Sequence, residues 1–273
     1  MSKKLYEKIT NRIIEKLEEG TAIFQMPFVN GEAKNHLSGK AYRGINQILL
    51  DGGEYATFKQ IRECGGKVKK GAKSETVIFW KMVEAEDENT GETIKIPLAK
   101  QYNVFKIGKD TEGIEPKQES GKYEHEPIEE AERIVRDFEN KPRITHESGG
   151  AHYTPSTDIL NLPPKNDFKE IHRYYSTFFH ELVHSTGSKD RLNRPGVAEM
   201  DHFGSKQYSK EELVAELGAA MLCGVTGIEN LTIDHSASYI QSWISALRND
   251  HSLIVTASQQ AQKAVDYILG TEF

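Results

Sequence analysis

The sequence predicts an α+β protein in two unequal parts: a small α+β N-terminal domain, then a mostly helical domain with a small sheet. Residues 76–107 contain TVIFWKMV, TIKI and QYNVFKI, β-branched and aromatic segments that read as strands. Beyond residue 127 apolar residues recur mainly at helical spacing. Between the two lies GKDTEGIEPKQESGKYEHE, residues 108–126, which has no apolar periodicity and cannot bury enough surface to order itself. The expected division is a domain over 1–110, a linker over 111–126 and a domain over 127–273, and the length suits two domains.

The elements follow in order. Leu5, Ile9, Ile13 and Leu17 recur every fourth residue, so 3–19 is an amphipathic helix that Gly20 stops. Phe24, Pro27 and Phe28 form an aromatic, turn-like segment. AYRGINQILL starts a second, short helix, and ATFKQIREC over 56–64 is a third, ended by Gly65 and Gly66. Strands follow at 76–83, 93–96 and 101–107, with DENTGE as the turn between the first two. In the second half a helix over 127–139 presents Ile128, Ala131, Ile134, Val135 and Phe138. Strands near 151–153 and 158–162 flank the turn TPSTD, and helices cover 168–186, 210–223, about 236–248 and 251–269.

Composition excludes several classes. No apolar run approaches the ~20 residues that span a bilayer, so no membrane partner is expected. MSKKLYEKIT lacks the apolar stretch of a secretory signal. With Cys64 and Cys223 as the only cysteines there is no disulfide framework, and a reducing cytoplasm is the expected location. The net charge of −6 conceals an asymmetry. Residues 1–110 carry 19 Lys and Arg against 15 Asp and Glu, while 111–273 carry 16 against 26. Within the first part, 34–73 hold nine basic residues and three acidic ones, a section suited either to a polyanion or to plain solvation.

The chemistry is concentrated in His180-Glu181-Leu182-Val183-His184, an H-E-x-x-H pentapeptide. Two histidines four apart on a helix are separated by about 40° around the axis, so both imidazoles can reach one metal ion. Glu181 stays off the metal, takes a proton from water and later delivers it to a leaving amine. Tyr175, Phe178, Phe179, Leu182 and Val183 give the same helix a wide apolar face, which leaves the histidines to a cleft. A catalytic zinc needs a third protein ligand. In YSKEELVAELGAAML, Glu212 and Glu216 share one helical face that continues as Ala219, Ala220 and Cys223. Glu212 is expected as the ligand and Glu216 as the carboxylate that accepts a hydrogen bond from a ligand histidine, although these roles could be exchanged. Ser209-x-x-Glu212 also reads as a capping box, which would employ Glu212 at a helix start instead. Two histidines and a carboxylate suit non-haem Fe(II) as well, but Glu181 within the pentapeptide favours hydrolysis.

These residues resemble the ArdC antirestriction protein family. FHELVHSTG followed by YSKEELVAELGAAML looks like its zincin-type metallopeptidase domain, preceded here as there by a Y-x-P-x-x-D pattern, Tyr153 to Asp158. Tyr42-Arg43-Gly44-Ile45-Asn46, Thr57-Phe58-Lys59-Gln60 and Gly65 to Gly71 are similar to its N-terminal single-stranded-DNA-binding domain. The family's tryptophans near 24–28 and before Thr57 are replaced by Phe24, Phe28 and Tyr55, so rings remain. The resemblance implies a zincin-like fold for the second domain, carriage on a mobile element, and protection of incoming DNA from host restriction. Tyr42 and Phe58 would stack on bases, unless they are core residues, and Asn46 would also bind DNA. Arg43, Lys59, Lys67, Lys69, Lys70 and Lys73 would follow phosphates. The resulting expectation is a zinc metallopeptidase with one zinc per chain, held by His180, His184 and Glu212. Its partners would be single-stranded DNA and a protein or peptide substrate. The alternative is a DNA-binding antirestriction protein whose metal is structural or vestigial.

Overall fold

A computed structural model describes residues 3–18, 33–50, 52–86, 93–117, 127–198, 206–228 and 237–271. The expected aromatic segment 24–28, the turn 87–92 and the linker part 118–126 lie outside the described residues. The first half contains α1 (Lys3–Glu18), β1 (Ala33–Asn35), α2 (Ile45–Leu49), β2 (Gly53–Thr57) and α3 (Phe58–Glu63). β3 (Lys67–Val68), β4 (Glu75–Glu86), β5 (Thr93–Lys106) and β6 (Thr111–Glu112) complete it. Thr57 caps α3 by a capping box with Gln60, so the helix starts two residues later than the apolar pattern suggests and 53–57 becomes a strand.

The main sheet has strand order β1-β2-β5-β4, with β1 parallel to β2 and the other pairs antiparallel. The two strands expected over 93–107 are one strand, which runs through Pro97 opposite Met82. Proline lacks the N–H that a second neighbour would need. β2 pairs with Val104 to Lys106, so among the described residues β5 at Pro97 has β4 on one side and no such demand on the other. Residues 111–114 of the expected linker belong to the fold. Thr111–Glu112 pair with β3, and Ile114 is buried with Ala56, Ile61 and Ile107. A two-residue strand and one apolar side chain leave no periodicity for the sequence to show.

The second half has α4 (Pro127–Asp137), β7 (Arg143–Thr145), β8 (His152–Thr154), β9 (Ile159–Asn161) and α5 (Ile171–Ser185). α6 (Pro195–Ala198), α7 (Lys206–Thr226), α8 (Ala237–Asn249) and α9 (Leu253–Leu269) follow. Its sheet has the order β7-β9-β8, which puts β8 at an edge. α7 is buried on every side from Leu213 to Gly224, as befits a helix at the centre of a bundle. A Cβ at Gly218 would come within 2.7 Å of Val183 Cγ2, so this glycine sets how closely α7 approaches α5. The large core extends beyond the second half: Ile9, Ile13, Ile14 and Leu17 of α1, Ile45, Ile48 and Leu49 of α2 and Ile78 of β4 belong to the same cluster as α5, α7 and α9. Division along the sequence is therefore not a division of the core.

Candidate metal centre

α5 and α7 bring four of the residues singled out above together. His180 Nε2 and His184 Nε2 are 3.1 Å apart. Glu212 reaches both, with Oε2 3.7 Å from the first and Oε1 3.4 Å from the second. One donor atom from each of the three residues falls within 4.8 Å of the others. The outward nitrogens are held from behind. His180 Nδ1 lies 3.1 Å from Glu216 Oε1, and His184 Nδ1 lies 3.4 Å from Glu211 Oε1. Each imidazole thus has a carboxylate at its back, and both turn Nε2 toward one point, the arrangement that fixes a ligand histidine's tautomer. The donor set and its size suit a divalent cation.

Glu211 is a residue that the motif did not reveal. It is buried, and Arg194 donates to its Oε2 and Oε1 at 3.0 and 2.6 Å. Arg194 also donates to Thr186 Oγ1 and to Val183 O, both at 2.7 Å, so it ties α7 to the end of α5. A Cβ at Gly187 would meet Val197 Cγ2 at 2.6 Å and Arg194 Nη2 at 3.0 Å, so only glycine admits this segment against the helix end. The one sequence hint for Glu211 was its place beside Glu212; Arg194 is 17 residues away and shares no spacing with it. α7 starts at Lys206, which places Ser209 inside the helix and not at its cap. The capping-box role for Glu212 is therefore set aside.

The electrostatics follow from this packing. Burial works against charge on His180, but the Glu216 carboxylate outweighs it and holds the pKa above the ordinary 6.5. Burial opposes charge on His184 too, and Glu211 and Glu212 together raise its pKa well above that value. For Glu211 burial pushes the pKa up, yet His184 and Arg194 prevail and keep the carboxyl below its usual range. Glu181 is buried and lines the same cleft, of about 380 Å³, with Ala151, His152, Tyr153, Pro155 and Val197. β8, the edge strand, supplies one wall.

The Y-x-P-x-x-D residues hold that wall in place. Tyr153 donates to Asp158 Oδ1 at 2.8 Å, and Arg191 grips both carboxylate oxygens at 2.7 and 2.8 Å. Arg191 also donates to Ser185 O at 3.1 Å, which connects the β8–β9 turn to the end of α5. Asp158 adopts φ 51°, a left-handed conformation that aspartate tolerates better than most residues. Arg191 lowers the Asp158 pKa, while burial and then the bond to Asp158 push the Tyr153 hydroxyl up to about 12.

The residues expected on DNA do not form one surface. Tyr42 is 5% exposed and packs its ring against Tyr55 and Phe79, which makes it a core residue. Asn46 is buried and bonds Ile78 in both directions, its Nδ2 donating to the carbonyl and its Oδ1 accepting the N–H. Arg43 is paired with Asp266 of α9. Lys69 donates its ammonium to the carbonyls of Gly108 and Lys109, both at 2.9 Å. Phe58, Lys59, Lys67, Lys70 and Lys73 are exposed around α3 and β3. Cys223 is buried, which raises its thiol pKa, and Cys64 is half-buried. The side chains of Ser209, Tyr208 and Tyr239 lie outside the described residues. No described helix is long and apolar enough to cross a membrane.

The chain is similar to several known proteins. Residues 129–260 match the model of a zincin-like metallopeptidase family, and residues 3–105 match that of the N-terminal domain of the anti-restriction factor ArdC. The metal-free crystal structure of the antirestriction protein ArdC from plasmid R388 superposes with a TM-score of 0.78 at 34% identity, covering 98% of this chain and 99% of that one. The Mn(II)-bound structure gives 0.76 at 33% identity, covering 97% of each. An uncharacterized protein y4eC of Sinorhizobium fredii is 32% identical, covering 97% of this chain and 91% of its own. A DNA primase TraC of Escherichia coli is 34% identical over 99% of this chain, which spans only 20% of that protein. The zincin-like family and the Mn(II)-bound relative indicate a divalent metal site.

Proposed function

The chain belongs to the ArdC antirestriction protein family, and we propose that it is a zinc-dependent peptidase that also binds single-stranded DNA, in defence of incoming mobile-element DNA. His180, His184 and Glu212 would hold one zinc per chain. The observation that carries the reading is the convergence of these three donors in an open cleft beside Glu181. When bound, the ion supplies Lewis acidity and makes water a nucleophile near neutral pH. The protein's own groups do the rest. Glu181 moves the proton from water to the departing amine. Glu216 and Glu211 orient the two imidazoles. β8 is an edge strand among the described residues, and it would offer backbone groups to an extended peptide by strand addition. For the DNA half, the basic section and the ArdC N-terminal match support the reading, as does a relative named a DNA primase.

The test is a Glu181→Gln variant beside wild type. Elemental analysis should find one zinc in both and none in His180→Ala or His184→Ala. A proteomic search for cleavage products, with and without single-stranded DNA, should find them with wild type alone. Undiminished cleavage by Glu181→Gln would refute the assignment. If Glu181→Gln keeps full antirestriction in conjugation, the metal is structural and the protein acts through DNA binding alone.

A further inference from the structure

β4 and β5 pair in register from Glu75 opposite Val104 to Glu86 opposite Thr93. Directly opposed residues share a face, so Val77, Phe79 and Lys81 project to the same side as Tyr102 and Lys100. Ile78 projects to the other side and joins the main core. The inner end of the first face is closed, because Val77 and Val104 are buried with Ala33, Tyr42, Leu50 and Tyr55. Farther along, the described side chains of this face are exposed. Phe79 is 49% exposed and Tyr102 43%, with Lys81 and Lys100 exposed beside them. The rings form a row. Tyr55 meets Tyr42 edge-on at 6.5 Å, Tyr42 meets Phe79 at 6.1 Å, and Phe79 meets Tyr102 at 5.7 Å and 75°. Two buried rings thereby fix two exposed ones.

We propose that this outer face of β4 and β5 is the platform on which single-stranded DNA lies, with a base stacked on Phe79 or Tyr102 and phosphates beside Lys81 and Lys100. The proposal rests on the single-strand-binding reading above and says where that binding happens. Rings already held by packing lose little freedom when a base arrives, and stacking accepts any base. A duplex hides its base faces, so exposed rings select a single strand. Charge separates DNA from a protein partner here. The described exposed side chains around the rings are lysines, and the acid on this face, Glu75, sits at the inner end, 3.7 Å from Arg12 of α1. Tyr42 acts as the prop behind Phe79 and not as a stacking ring.

The experiment measures fluorescence anisotropy of a labelled oligo(dT) strand with the full-length protein. Phe79→Ala/Tyr102→Ala should weaken binding about tenfold or more, and Phe79→Trp should retain it. Lys81→Glu/Lys100→Glu should weaken it and flatten its salt dependence. Phe58→Ala and Lys59→Glu/Lys67→Glu/Lys70→Glu should each cost less. Binding that survives the double alanine change but fails in the triple lysine variant overturns the platform and leaves single-strand binding intact. Wild type that ignores the strand at low salt removes both. A changed oligomeric state by light scattering, with strand affinity unaltered, makes the face a protein interface and the proposal wrong. Photo-crosslinking of wild type to an iododeoxyuridine strand needs no substitution. Adducts on Phe79 or Tyr102 are expected, and adducts confined to 58–73 would overturn the assignment.

Discussion

The metal cleft and the basic N-terminal section place their polar side chains by opposite means. In the cleft each imidazole has a partner behind it, Glu216 behind His180 and Glu211 behind His184, and Arg194 in turn lies behind Glu211. The two carboxylates and Arg194 are buried and the imidazoles mostly so, and their mutual packing determines where each can point. In the basic section several residues of the same chemical kinds are spent on the fold. Arg43 holds Asp266, Asn46 splices α2 to β4, and Lys69 closes the turn after β5. A charged or amide side chain near a ligand surface therefore carries information only once its partners are known. In the cleft the partners sit behind the imidazoles and leave both Nε2 atoms turned toward Glu212, whereas Asn46 and Lys69 of the section over 34–73 spend polar atoms on backbone groups.

The largest expected effect breaks the cleft's support. Arg194→Met leaves Glu211 buried without its counter-ion, which costs about 3–5 kcal/mol when one partner of a buried pair is removed. Urea unfolding should show this, and Arg194→Met/Glu211→Leu should recover much of the loss, since an apolar pair avoids the stranded charge. The double variant should still bind metal more weakly, because His184 loses its orienting carboxylate, a change typically worth 10–100-fold. Equal metal affinity in wild type and double variant would show that Glu211 merely balances Arg194.

Spacing between helices comes next. Gly218→Ala forces its new methyl onto Val183, and overpacking of this kind costs about 1–3 kcal/mol. Because Val183 lies between His180 and His184, separation of α5 from α7 moves both histidines from Glu212 and Glu216. Metal affinity should fall along with stability. A crystal structure with unmoved helices and a normal metal content would break this connection.

The pH dependence of the metal-free cleft has a defined sign. His180 and His184 have folded pKa values above the ordinary 6.5, so the native state holds protons that the unfolded chain releases. That stabilisation is present below the ordinary value and is lost as pH rises through the folded values. Metal must displace those same protons, so its affinity should rise over the same window. Titration with zinc at several pH values, scored by proton release, checks the direction. Uptake that does not vary with pH above 6.5 would contradict the raised values.

These contrasts explain what could be read from the sequence. His180, Glu181 and His184 were legible because a helix fixes relative positions within two turns, and Glu212 with Glu216 repeats that rule on α7. Glu211 and Arg194 were not, since no periodicity joins a loop arginine to a helix 17 residues on. The long helices were visible from their apolar spacing. β1, β3, β6 and β7 lack a signal because two or three residues show little alternation, whereas the equally short β8 and β9 are betrayed by the turn TPSTD between them. Pro97 divided a strand that the fold keeps whole, since whether a proline is tolerated depends on which neighbour lies alongside it. Phe79 and Tyr102 were read only as strand formers; their exposure is a property of what covers the sheet.

The smallest effect separates two adjacent lysines. Lys69 gives two hydrogen bonds from its ammonium to the carbonyls of Gly108 and Lys109, whereas Lys70 is exposed. A charge-assisted bond at a half-open site is worth less than a buried one, so Lys69→Ala should lower stability by about 1 kcal/mol. Lys70→Ala should stay within about 0.5 kcal/mol of wild type, as surface changes do. On single-stranded DNA the order should reverse. Loss of Lys69 should leave the slope of log affinity against log salt unchanged, while loss of Lys70 can reduce it by at most about 0.7, the share of one phosphate. A larger change for Lys69 would mean that its ammonium leaves the two carbonyls when DNA arrives. The N-terminal section would then resemble the cleft after all, with groups held in reserve by the fold and released to a ligand.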